Sequence, residues 1–126
     1  MIFEPKDPPR RFTIGNDKRI EIKDCGRVAL QADEQLTFTT PSGGEYDLVR
    51  KDWGFYATPS LNARLRDFGL RAVLVKNGIG RYFVLLVENG SEASFEKYME
   101  DEKMIVITWL DDTEVLGRLE RKVRER

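Results

Sequence analysis

Apolar and polar residues alternate through the first half of the chain. Arg19-Ile20-Glu21-Ile22 and Leu36-Thr37-Phe38-Thr39 repeat with a period of two, the spacing of a strand with one face in water. Gly15-Asn16-Asp17 and Pro41-Ser42-Gly43-Gly44 interrupt the alternation with turn-forming residues. Residues 45–50 then read as the return strand of a hairpin, and residues 53–57 as a short aromatic strand. Ahead of them, residues 1–11 carry Pro5, Pro8 and Pro9 among charges. Proline removes a backbone donor, so an extended arm is expected there.

The pattern changes at Thr58-Pro59-Ser60. Leu61, Leu65 and Phe68 recur at helical spacing, with Ser60 as N-cap and Gly69 as stop. Residues 72–75 and 82–87 are nearly continuous apolar runs joined by Asn77-Gly78-Ile79-Gly80, which predicts a hairpin. Runs without alternation predict strands covered on both faces. Ser91 is expected to cap a helix over residues 92–102 with Phe95, Tyr98 and Met99 on its apolar face, and residues 104–110 form a further strand. Strand, helix and strand over residues 82–110 would make a βαβ crossover. Asp111 and Glu114 suggest a capping box for a last helix whose narrow stripe is Val115, Leu116, Leu119 and Val123.

These elements predict an α+β fold: one domain over residues 12–126 behind the proline-rich arm. Its front half is β-rich, in hairpins or a curved mixed sheet, and about three helices fall in the back half. The chain has 126 residues, 40% hydrophobic and 34% charged, enough to hold a core without disulfides or metals. With 21 basic and 22 acidic residues, the net charge of −1 argues against a nucleic-acid binder, whose usual mark is a basic excess. The single cysteine, Cys25, suits a reducing, cytoplasmic setting. No secretory leader and no run of about 20 apolar residues is present, so no membrane association is expected.

Chemistry is constrained by what is missing. Without histidine, no His-based triad or His-ligated zinc site can form. Asp67-Phe68-Gly69 matches a kinase tripeptide in a chain too short for a kinase, and Gly78-Ile79-Gly80 lacks the third glycine of a dinucleotide loop. Asp111, Asp112 and Glu114, and the acids at 100–102, have no known metal-ligand spacing, so neither metal nor cofactor is implied.

One stretch stands out, residues 49–71. It carries Arg50, Lys51, Arg64, Arg66 and Arg71 against Asp52 and Asp67, with Trp53, Phe55 and Tyr56 entering a helix. Cations at a helix start suit an anion, and the aromatics suit a flat group. The candidate anion site is therefore Lys51, Trp53, Tyr56, Thr58, Ser60 and Arg64. The plainer alternative is that Ser60 caps, the aromatics fill the core, and the arginines face water or pair with Asp52 and Asp67. Charge also segregates further on: residues 88–103 hold six acids and two bases, residues 117–126 five bases and two acids. A basic last helix would dock on an acidic one, within the chain or across a homodimer. The leading expectation is a non-catalytic binding module for an anionic small molecule or a partner protein. Its rivals are a small enzyme acting on a phosphorylated or nucleotide-linked substrate, with Tyr56 or Asp52 as acid–base, and a structural homo-oligomer subunit.

Overall fold

The computed structural model describes residues 1–125. It is an α+β fold, β-rich at the front, with three α-helices toward the C-terminus among the described residues. The chain divides into two compact units. Met1–Leu36 and Leu48–Tyr56 form the first; Thr37–Asp47 and Ala57–Arg126 form the second.

The first unit is dominated by an antiparallel ribbon of β1 (Ile2–Ile14) and β2 (Ile20–Ala29), registered from Ile2 opposite Ala29 to Ile14 opposite Ile20. The expected proline-rich arm, residues 1–11, is thus most of a paired strand. Its prolines cluster where the ladder breaks, between Pro5 and Arg10, as proline's missing donor requires. Asp24 accepts from Lys6 at 2.6 Å and Arg10 at 3.3 Å across that break. Hydrogen bonding from Lys6, then Arg10, holds its carboxyl below the usual aspartate value.

Three further strands, β3 (Gln35–Thr39), β4 (Glu45–Lys51) and β5 (Gly54–Ala57), pair in the order β3-β4-β5. The chain passes between the units within each of them.

The second unit is built on a sheet of β6 (Leu70–Lys76), β7 (Tyr82–Glu88) and β8 (Ile105–Trp109), in the order β7-β6-β8. The β6–β7 hairpin forms as its turn residues dictate. Asn77 Oδ1 accepts from the N–H groups of Ile79 and Arg81, and Gly80 takes a φ of 84°. Both β7 and β8 run antiparallel to β6. They are therefore parallel to each other with β6 between them, so the expected crossover is split by a central strand. Helix α2 (Glu92–Asp101) makes the connection.

Val73, Val75, Val87 and Met99 form the core between sheet and α2, with Leu85, Phe95, Met104 and Trp109 packed around them. A second cluster of Leu65, Leu70 and Ala72 takes in Tyr46 and Leu110. The helix expected from Ser60 is shorter than its periodicity suggests: α1 spans only Arg64–Asp67. Ser60 Oγ still accepts from the Arg64 N–H at 2.9 Å, and Gly69, at φ 82°, ends the turn as expected. Ala63, at φ −146° and ψ −80°, is not helical, so residues 61–63 form a turn and the helix starts only after it.

The last helix, α3 (Thr113–Arg124), is capped by Asp112, whose carboxylate accepts from the N–H groups of Glu114 and Val115. Asp111, expected as part of that cap, has another role. No helix among the described residues is long and apolar enough to cross a membrane.

Candidate functional site: the open edge of β8

Register decides the most ordered polar feature of the second unit. Val73 lies opposite Trp109, so continuing the antiparallel ladder by two residues brings Arg71 to Asp111. Arg71 donates from Nε at 2.6 Å and from a terminal nitrogen at 3.3 Å to the two carboxylate oxygens, the fork geometry arginine favours. Arg66 adds a weaker bond at 3.4 Å. Asp111 is only 3% exposed, so it could not remain ionised there without these partners. The hydrogen bonds from Arg71 pull its pKa below the ordinary aspartate value, against the opposing effect of burial. Asp111 raises that of Arg71 in turn.

An aromatic stack supports the pair. The Arg71 guanidinium lies 4.0 Å from the centre of the Trp109 ring. Trp109 meets Phe95 of α2 edge-on, with centroids 5.7 Å apart. The stack therefore links α2, β8 and β6, and it ends at a cavity of about 610 Å³. Arg66, Arg71, Val106, Ile107, Trp109 and Val115 are among the residues that line it. Asn62, also on its wall, donates to Thr113 Oγ1 at 3.2 Å and ties the start of α3 to the loop before α1.

The wall made by β8 has an open side. Among the described residues β8 lies at the margin of its sheet, paired with β6 alone, so its other edge presents backbone N–H and C=O groups without a strand partner there. The apolar runs that predict cover on both faces are not covered on both faces. In β6, Ala72, Val73 and Val75 are buried, but Val84 on β7 is 58% exposed and Ile105 on β8 is 59% exposed. Leu86, Val106 and Ile107 are exposed as well. The alternation places Val84 and Ile105 on the face away from α2, since they lie opposite Leu74 and Lys76. Helix α3 repeats the theme. None of its residues is buried, and Leu119 and Val123 on its apolar stripe are each more than half exposed.

The six residues of the candidate anion site fall in different units. Lys51, Trp53 and Tyr56 belong to the first; Thr58, Ser60 and Arg64 belong to the second. Lys51 is ion-paired to Asp33 at 2.5 Å, which raises its pKa. Trp53 is 68% exposed, and Tyr56 is also exposed rather than filling the core. Thr58 donates its N–H to the Asp47 carbonyl, Ser60 closes the first turn of α1, and Arg64 lies over the Phe68 ring. Two arginines of the same stretch, Arg66 and Arg71, do converge, but on Asp111 rather than on Asp52 or Asp67. The sequence points to Asp111 as the cap, a place that its neighbour Asp112 takes, and gives no sign of its pairing with Arg71 and Arg66. The spacing that would have found it is cross-strand register, which depends on the whole sheet.

No protein-family model, no curated protein and no solved structure matches this chain.

Proposed function

We propose that this chain is a non-catalytic binding module that takes an extended segment of protein along the open edge of β8. The observation that carries this function is the exposure of Ile105, Val106 and Ile107 on a marginal strand. Their continuous apolar sequence is that of an interior strand. An unpaired, apolar edge is costly for a protein to leave open, and proteins usually blunt such edges with charge or proline. β8 has neither. Adding a strand satisfies the edge with backbone hydrogen bonds, and alternate side chains of the added strand enter the flanking pockets.

The groove holds one cation with room for a further partner, beside the carboxylates of Asp111 and Asp112 that also line it. Arg66 lies at its end, and its side chain stays more than half exposed despite the long bond to Asp111. Arg66 can therefore add a second carboxylate without releasing the first. Asp111 is held ionised by two arginines and so has no proton to trade near neutral pH, which favours binding over acid–base chemistry at this place.

The test is direct binding of a fluorescent peptide of about eight residues, the length of a typical strand, alternating valine and glutamate. Saturable binding is expected, and it should be lost when the alternate amides facing β8 are N-methylated. Binding indifferent to N-methylation, or none at all, would contradict the proposal.

A further inference from the structure

We infer that the segment occupying the edge of β8 is β8 of a second copy of this chain, paired antiparallel so that two three-stranded sheets become one of six strands. This partner rests on the edge-binding function proposed above.

The chain supplies its own complement. A two-fold axis through the middle of β8 pairs an apolar strand with itself, leaving neither copy with an open edge there. The same axis has an electrostatic consequence. β8 is preceded by the acidic end of α2 and followed by α3. Antiparallel pairing sets the C-terminal end of one β8, where α3 begins, beside the N-terminal end of the other, where α2 ends. Residues 88–103 carry a net −4 and residues 117–126 a net +3. The start of each α3 is thereby set beside the acidic junction of the other copy, twice over by symmetry, and its basic residues from Arg118 onward follow within about two turns. Parallel pairing would instead put like beside like: acidic junction next to acidic junction, basic helix next to basic helix.

The apolar stripe of α3 fits the same arrangement. Leu119 and Val123 find no burial in their own chain, although the helix is well capped by Asp112. The exposed sheet surface around Val84, Leu86 and Ile105 becomes continuous with its symmetry mate once the edges join. A helix leaving one β8 beside the other lies next to that enlarged surface and can cover it. Val115 and Leu116 at the start of the stripe are partly covered within the second unit, but Leu119 and Val123 stay more than half exposed, and the cationic flank disfavours a basic partner.

Sedimentation velocity on the full chain tests this, from about 5 to about 200 µM, since association is driven by protomer concentration. A monomer–dimer equilibrium is expected. It should weaken several-fold as salt rises from about 0.05 to about 0.5 M, where attraction between exposed charges is screened. Ile107→Lys places a charge on the edge, and Leu119→Glu one on the stripe. Each should weaken the dimer by about tenfold or more. Both side chains are exposed, and far-UV circular dichroism checks the fold; if Ile107→Lys fails to fold, Leu119→Glu decides alone. Mixing Glu100→Arg with Arg121→Glu should restore heterodimer that neither variant forms alone. A dimer indifferent to both substitutions uses another surface and overturns the inference. A chain that stays monomeric at 200 µM overturns it too. If it still binds the alternating peptide in an N-methyl-sensitive way, the edge function stands and only the partner is wrong; if it binds no peptide, both fail.

Discussion

Helices α2 and α3 are about equally long and lie on either side of β8, yet they stand in opposite relations to the fold. α2 has modest amphipathicity, and its Ser91 makes no capping bond through its side chain, but Met99 is buried and Phe95 packs on Trp109. α3 has a sharp apolar stripe and a double-bonded Asp112 cap, but nothing of it is buried. Local signals thus stabilise the helix with fewer tertiary contacts, while tertiary contacts hold the helix with weaker local signals. Short helices form in water mainly when one of the two is supplied. The proposed dimer rests on this combination in α3, an apolar stripe and a cap of its own with Leu119 and Val123 left exposed.

Substitutions separate the two sides. The largest effect is expected at their junction. Arg71→Ala leaves Asp111, buried and ionised, without its main partner, and should cost about 3 kcal/mol in urea unfolding, as breaking a buried pair does. Met99→Ala under α2 should cost about 2–3 kcal/mol by opening a cavity, whereas Leu119→Ala on α3 should change monomer stability by less than about 0.5 kcal/mol. Equal costs at the two positions would erase the distinction between the covered and the open helix.

Acid unfolding sharpens the role of the junction. The folded pKa of Asp111 lies below the unfolded value of 3.8. Its contribution is therefore complete above about pH 4 and disappears as pH falls through the lower, folded value. Wild-type stability should drop across that window, and Asp111→Asn, already destabilised at neutral pH, should show a shallower acid slope. The smallest contrast lies at the caps. Asp112→Ala should cost about 1 kcal/mol of α3 helicity or overall stability, and Ser91→Ala only a few tenths, read by circular dichroism and thermal unfolding.

Much of the fold was legible because its signals are local. The Asn77–Gly80 turn, the Gly69 stop and the period-two strands each depend on a few neighbouring residues. α1 is shorter than its pattern, because the spacing of Leu61, Leu65 and Phe68 is also met by a turn over residues 61–63 and one helical turn, divided at the non-helical Ala63. The exchange of roles between Asp111 and Asp112 was hidden, since either aspartate fits a cap and only the alignment of β6 with β8 selects one. The same dependence concealed the site. Arg66 and Arg71 were visible as charge, but their convergence on the Trp109 face is set by register. The exposure of Val84 and Ile105 runs against their apolar pattern, and the proposed edge binding rests on that mismatch between sequence and surroundings.

Hydrogen–deuterium exchange on the chain with and without the alternating valine–glutamate peptide tests the central claim most directly. Amides of residues 105–109 should slow markedly on peptide addition, while those of β6 and α2, already bonded within the unit, stay as they are. Unchanged exchange along β8, or protection centred instead on Trp53 and Tyr56, would contradict the account.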